Sequence, residues 1–253
     1  MKLTVVTVCL NAQNTIAEAV ESVRCQTWRE VEHIVVDGAS SDGTLAVLER
    51  YRSSFARLIS EPDRGLYDAM NKGIAAASGD YLGFLNADDV YHHDRALEAV
   101  AEALSESDVE AAHADLIYVK RSDPQRVLRY WRSKAFTPGM FEAGWHPAHP
   151  TLFVRTSLLR DMGGFDLRYR YHADFDLMVR LFIERKIRSV HIPQVLVRMR
   201  SGGQSTRSLR NIYRGNHESW QIARRFGIAR TPLWIARKLG WRVGQFFRRP
   251  DEY

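Results

Sequence analysis

Four short apolar runs, each followed by a polar loop and an amphipathic helical stretch, restrict the fold of this chain more than any other feature. Leu3 to Leu10 (LTVVTVCL) is rich in β-branched residues throughout, the pattern of a strand buried on both faces. His33 to Val36, Arg57 to Ser60 and Tyr81 to Leu85 repeat the theme. Helical patterns separate them. Ile16, Ala19, Val20 and Val23 share one face, Leu45, Val47, Leu48 and Tyr51 follow the second run, and Met70, Ile74 and Ala77 follow the third. Thr15 and Glu18 have capping-box spacing at the start of the first helix. Strands alternating with helices in this rhythm predict an α/β fold with a mostly parallel central sheet flanked by helices on both faces. A chain of 253 residues, 45% hydrophobic and 26% charged, can bury such a sheet in one large domain, or in a domain with an appendage.

After Asp94, which opens a helix over DRALEAVAEAL, the rhythm changes. EAAHADLIYV and RVLRYWR, separated by a Ser-Asp-Pro turn, predict an antiparallel pair. The loop GMFEAGWHPAHP leads to a strand, TLFVR, and then to a short helix ending at Gly163-Gly164. Asp174 opens a helix with Leu177, Met178, Leu181 and Phe182 inward. Arg188 to Arg200 reads as one or two strands interrupted at Pro193, and the chain is helical and basic from about Ser208 onward.

Three of the strand ends carry carboxylates: Asp37, Asp63 and the adjacent Asp88-Asp89 of GDYLGFLNADD. Ligands of open α/β sheets bind beyond the carboxyl ends of the strands, and parallel neighbours would line these acids along one edge. Charge set against an apolar core needs a partner, which a hard divalent cation with oxygen ligands supplies. A nucleotide with a divalent cation accounts for the cluster. The plainer alternative is that Asp89 or Asp94 caps the next helix. Neither a Gly-rich Lys-Ser/Thr phosphate loop nor a G-x-G-x-x-G turn after a strand is present, which excludes recognisable P-loop enzymes and dinucleotide oxidoreductases.

Together TVVTVCLNAQNTIAEAVESVRCQTW, HIVVDGASSDGT, EPDRGLYDAMNKGIAAASGDYLGFLNADD and GGFDLRYRYHADFDLMVRL resemble the inverting glycosyltransferases of family 2, which have the nucleotide-sugar-binding GT-A fold. The narrower likeness is to bacterial members that build polysaccharides and O-antigens. It covers roughly residues 3 to 205 and specifies no sugar. The resemblance implies a catalytic domain over 1–205 and a helical extension over 206–253. It implies that Asp37 hydrogen-bonds the nucleobase, with Thr7 to Leu10 and Asn11 lining the same pocket. Asp63 falls where the family approaches the base or ribose. Asn86 and Asp88 belong to the donor site, and Asp89, supported by Asp88, is the expected ligand of Mn2+ or Mg2+. Asp174, in HADFDL, matches the catalytic base; Ala173 before it removes a supporting carboxylate that the family often has. An inverting transfer is one displacement, needing a base for the acceptor hydroxyl and an electrophile for the departing diphosphate. Asp176 is assigned to structure. Without the likeness, a helix cap is the lesser alternative reading of Asp174.

Other candidates are weaker. His149 matches a position on the acceptor side, although an isolated His is as often packed as functional. Trp145 is a sugar-stacking candidate set against a core role. Arg198 and Arg200, beside two glycines, are placed to reach a diphosphate or else to form a solvated basic strand. His146 and His172 have no clear role, and His113 reads as packed in a strand.

The net charge of +6 is concentrated late: from Ser201 onward there are eleven Lys and Arg against three Asp and Glu. Ile235, Leu239, Val243 and Phe246 fall on one helical face, opposite Arg237, Lys238, Arg248 and Arg249, with Trp234 and Trp241 among them. That pattern suits a helix lying on an anionic membrane surface, the alternative being a face packed on the catalytic domain. No nucleic-acid motif accompanies the charge. Cys9 and Cys25 show no metal spacing and suggest a reducing compartment. The first residues carry one Lys and eight apolar positions, short for a cleaved leader. These features predict a cytoplasmic protein, peripheral on the inner face of the cell membrane. The donor expected is a UDP-sugar and the acceptor a glycan on polyprenyl diphosphate. The rival readings are a non-catalytic nucleotide-sugar binder and a nucleotidyltransferase.

Overall fold

The four opening strands lie side by side. In the computed structural model, which describes residues 1–202 and 208–246, β1 (Leu3–Cys9), β2 (Val31–Asp37), β3 (Arg57–Ser60) and β4 (Tyr81–Asn86) run parallel in the order β3-β2-β1-β4. Cys9 pairs with Asp37, Asp37 with Ser60 and Val8 with Asn86, so the carboxyl ends finish in line. Side chains alternate between two buried layers, as strand geometry requires. Val6, Val8, Ile34 and Val36 pack against Met70 and Ile74 of α3 (Leu66–Ala76). Leu3 and Val5 face the other way, toward Ala19 and Val23 of α1 (Ile16–Arg24) and toward Leu97 and Val100 of α4 (Ala96–Ala103). The helix after β2 is α2 (Thr44–Glu49).

Beyond β4 the sheet becomes mixed. β8 (Phe153–Arg155) runs antiparallel to both β4 and β6 (Ala111–Lys120), while β9 (Ser189–Arg200) is parallel to β6 and carries the two-residue β5 (Val90–Tyr91) on its edge. β7 (Asp123–Trp131) folds back on β6 as the expected hairpin. The Arg188–Arg200 segment forms one strand. Ala114 pairs with Ile192 and Asp115 with Val195, so exposed Pro193 and Gln194 are extruded as a bulge; proline has no N–H for the ladder.

Two local expectations are corrected. Thr15 stands at the N-cap of α1 without a side-chain bond to the helix, and its hydroxyl reaches the Ala12 carbonyl instead. Glu18 turns away to the Arg200 guanidinium, so no capping box forms. Arg95, not Asp94, precedes α4.

α5 (Thr156–Asp161) is followed by α6 (Ala173–Val179), which continues as a wider π-helical turn over Arg180–Glu184. The last helices are α7 (Leu209–Arg225) and α8 (Leu233–Gly244). Ile222, Ala223, Ile228, Ala229 and Trp234 enter the same buried cluster as Val6, Phe141 and Phe175. The docking face of α8 is not the one the helical wheel suggests. Trp234 is buried and donates from its indole N–H to the Phe141 carbonyl at 2.8 Å. Lys238, expected on a solvated face, is 2% exposed, with its ammonium 5.1 Å from the Phe175 ring centre and 2.6 Å from Ser219 Oγ. Leu239, Val243 and Phe246 are exposed. Arg248 and Arg249 lie outside the described residues. No helix among the described residues is long and apolar enough to cross a membrane.

Candidate active site

Two loops close the carboxyl end of the parallel strands, and backbone N–H groups stitch them together. After β1 the chain turns through Asn11 in the left-handed region (φ 51°). The Asn11 N–H donates to Ser40 Oγ, and Ser41 N–H donates to Asn11 Oδ1. Gly43 N–H donates to Gln13 Oε1, and Ala12 N–H donates to Thr44 Oγ1. Asp37 lies beneath this loop pair, fully buried, accepting from the Ser40 and Ser60 hydroxyls and the Ser40 N–H. Its carboxylate therefore organises the pocket from below. Asp63 reaches over from beyond β3 and accepts from Gly65 N–H. Gly38 is required here: a Cβ would stand 2.3 Å from Asp63 Oδ2 and 3.5 Å from Leu10 Cδ1. Leu10 is 52% exposed, an apolar lip beside that carboxylate. Leu10 and Asp63 thus meet around Gly38, with Asn11 on the adjoining loop, while Asp37, expected to hydrogen-bond a nucleobase, is buried beneath them and bound to Ser40 and Ser60.

Thr7 does not join them. It is fully buried one strand period below the rim, where its hydroxyl meets His33 Nε2 at 3.0 Å.

The acidic loop after β4 holds two unlike carboxylates. Asp88 is partly exposed and pairs with the more exposed Arg121 at 3.2 Å. Asp89 is fully buried, accepting from Asn86 Nδ2 at 2.8 Å and Arg200 N–H at 3.2 Å. Burial, with the Asp88 charge adding to it, pushes the Asp89 carboxyl up to about 8. Asn86 Oδ1 is buried with no hydrogen-bond partner. Arg200 is a brace and not a free diphosphate ligand. It is 6% exposed, donating to the Asp88 carbonyl at 3.0 Å and to Glu18 at 2.5 Å. Arg198 donates to His92.

Asp174 stands in the first turn of α6, with His172, not Asp174, at the N-cap. It is half-buried, and its Oδ1 lies 3.0 Å from the Tyr67 hydroxyl. That hydroxyl is equally close to the Tyr171 carbonyl, so its one proton serves either acceptor. Glu218 of α7 fixes the loop before the helix, accepting from the N–H groups of Arg170, Tyr171 and His172. Gly215 allows the close approach, since a Cβ there would stand 2.8 Å from His172 Nε2. Asp176 is buried and bound to Arg180 at 2.7 Å, the structural role expected. Tyr118 of β6 senses both acidic regions electrostatically. Burial raises its phenol most, Arg129 opposes this, and both Asp89 and Asp174 add to the rise.

Trp145 is core, 3% exposed and stacked on Phe136, because the 139–148 loop folds inward over α6. His149 is also buried, stacked on Phe84 and edge-on to Phe165; burial lowers its basicity while Asp174 partly restores it. Tyr67 and Glu218 escaped the sequence reading, and Glu18 was read as half of a capping box and not as the partner of Arg200. Tyr67 shares an apolar helical face with Met70 and Ile74, and the two glutamates act on segments far away in sequence.

The arrangement sets the Asp174 carboxylate in the first turn of α6, the acidic pair Asp88 and Asp89 after β4, and Leu10, Asn11 and Asp63 beyond the ends of β1 and β3. No cluster of three or more His, Cys, Asp or Glu able to hold a metal by themselves occurs among the described residues. The sequence signature of glycosyl transferase family 2 matches residues 4–160. An uncharacterised glycosyltransferase of Mycobacterium tuberculosis is 34% identical over 187 residues, covering 70% of this chain and 68% of its own. Among solved structures, Staphylococcus aureus TarS 1–349 with UDP-GlcNAc superposes at TM-score 0.65 and 18% identity, covering 96% of this chain and 73% of that one. The mannosyltransferase PcManGT of Pyrobaculum calidifontis, with GDP-Man and Mn2+, superposes at TM-score 0.67 and 20% identity over 95% and 73%. The fold is thus of the GT-A kind, and the chain belongs to glycosyl transferase family 2.

Proposed function

We propose that this glycosyltransferase moves a sugar, with inversion, from a nucleoside-diphosphate sugar to a hydroxyl of a lipid-linked saccharide in cell-surface polysaccharide synthesis. A UDP-sugar is the donor favoured. The observation that carries the reading is Asp174, a half-open carboxylate in the first turn of α6 held at 3.0 Å by the Tyr67 hydroxyl. In the reaction Asp174 takes the proton of the acceptor hydroxyl as that oxygen bonds to the anomeric carbon. The bond from that carbon to the diphosphate breaks, and its electron pair leaves with the nucleoside diphosphate. Tyr67 and Glu218 orient the base. Leu10, Asn11 and Asp63 receive the base and ribose, and Asp37 keeps their loops in place.

A divalent cation fits the acidic loop. Asn86 Oδ1 is a buried oxygen without a partner, Asp88 is accessible, and Asp89 is a buried carboxyl raised by burial and by the neighbouring Asp88 charge. Mg2+ and Mn2+ are commonly held by one or two carboxylates together with substrate phosphates. Bound there, the cation would neutralise charge on the departing diphosphate. Exposure favours Asp88 over Asp89 for the first contact, the reverse of the order expected from sequence.

Residues 1–205 form the catalytic unit in this proposal, and 206–253 an extension that completes it. Exposed Leu233, Leu239, Val243 and Phe246, beside a basic surface, support contact with an anionic membrane on the cytoplasmic side. The test is product analysis with a panel of nucleotide sugars. Release of a nucleoside diphosphate with glycan extension is expected. Pyrophosphate release from a nucleoside triphosphate would make the chain a nucleotidyltransferase, and donor binding without turnover would make it a binder.

A further inference from the structure

An open cleft of about 590 Å³ lies beside the loop that leads into α6. One wall is the 168–171 segment and the other is α7, with Tyr213, Arg214, His217 and Glu218. Its charges are unequally engaged. Arg168 is paired with Asp166, and the Glu218 carboxylate is occupied by the three backbone N–H groups it accepts. Arg170 and Arg214 have no carboxylate within ion-pair distance among the described residues. Tyr213, 72% exposed, stacks on His217 with ring centres 6.4 Å apart. Two unneutralised guanidiniums beside aromatic rings suit a phosphate group attached to something larger, since the planar fork matches phosphate oxygens. The volume exceeds what a single small anion fills. The cavity also touches the catalytic apparatus: the Tyr171 carbonyl in its wall is 3.0 Å from the Tyr67 hydroxyl, itself 3.0 Å from Asp174 Oδ1.

We infer that this cavity holds a phosphate or diphosphate group of the acceptor, next to the sugar whose hydroxyl meets Asp174. The inference rests on Asp174 being the base. The donor diphosphate belongs elsewhere, at the acidic loop, so the two anions are bound by different residues. Arg170 and Arg214 fix the acceptor's anionic linkage, and Tyr213 offers a face for an attached ring.

The test is calorimetric titration of inorganic pyrophosphate into protein already saturated with UDP and excess Mg2+. One further equivalent should bind to the wild type. Arg170→Gln/Arg214→Gln should weaken it by roughly tenfold per arginine lost, about a hundredfold together. Both side chains are exposed, and an unchanged melting temperature confirms that the variant folds. Arg170→Lys/Arg214→Lys should recover part of the affinity. Farnesyl diphosphate, run in parallel, locates the anion. Tighter binding than pyrophosphate places it on a lipid carrier, and equal binding places it on a headgroup phosphate alone. No second site in the wild type, or equal affinity in the Gln variant, overturns the inference. If UDP itself fails to bind, the donor reading fails, while the comparison of wild type and variant still decides the cavity.

Discussion

Removing the Glu218 carboxylate should unsettle the proposed base, Asp174, which it never touches. Its Oε1 accepts from Arg170 N–H at 3.1 Å, and its Oε2 from Tyr171 N–H at 2.8 Å and His172 N–H at 3.1 Å. Hydrogen bonds to a charged group contribute about 1.5–3 kcal/mol each when isolated. The site is only partly buried and the three share one carboxylate, so Glu218→Ala should cost about 2–4 kcal/mol in all. For a domain of this size that lowers Tm by roughly 5–12 °C. Glu218→Gln keeps a carbonyl acceptor, loses the charge, and should fall about halfway. The kinetic effect should be larger than the stability loss suggests, because Asp174 follows His172 by two residues and displacement of about 1 Å can cost ~100-fold. Below the melting transition, kcat for transfer should drop about 10- to 100-fold, with donor KM within about twofold. That split separates positioning from general destabilisation. Unchanged kcat in Glu218→Ala, or donor affinity falling in step with kcat, would refute the reasoning.

Gly38→Ala places a Cβ 2.3 Å from Asp63 Oδ2, so Asp63 must move; nucleotide affinity, read by calorimetry with UDP, should fall about tenfold or more with Tm little changed. Lys238 is pushed down from 10.5 to about 7, first by burial and then by Arg242. Between those values the unfolded chain binds a proton that the folded chain does not, so stability should rise with pH across that window by roughly a few kcal/mol at most. Lys238→Met should abolish the rise and be the more stable protein at pH 7, as checked by denaturant unfolding from pH 6.5 to 10. Replacing exposed Leu239, Val243 and Phe246 with Ser should reduce sedimentation with anionic vesicles several-fold while leaving Tm unchanged; a lower Tm would mean that these side chains pack on the protein.

The strand core was legible because its information is local. A continuous β-branched run such as Leu3–Cys9 states its own burial on both faces, and the third strand was read at its observed bounds, Arg57–Ser60. Strand ends are less well marked, so Thr7 was placed at the rim when it lies one period below. The acids at the strand ends were readable because a carboxylate beside an apolar run is costly and therefore informative. Their division of labour was not, since it depends on what approaches from distant segments. Arg200 was read as a phosphate ligand, but β5 pairing with β9 brings it onto the Asp88–Asp89 loop. Lys238 misled for a related reason. A helical wheel counts a lysine as polar, whereas the Phe175 and Trp234 rings accept its ammonium and make that face the inner one. Glu218 gave no signal at all, because its partners lie 46 to 48 residues earlier.

The most direct test of the central claim is a paired measurement on Asp174→Asn, an exchange that keeps the shape of the side chain and removes its ability to accept the hydroxyl proton. Donor binding, measured by calorimetry with UDP and UDP-sugars, should stay within about twofold of the wild type, because the nucleotide is proposed to contact Leu10, Asn11 and Asp63 and not Asp174. Transfer under saturating donor and acceptor should fall by about 10²- to 10⁴-fold, the usual contribution of a positioned base. Transfer persisting at a tenth of the wild-type rate or more, with donor bound normally, would contradict the assignment of Asp174 as the base.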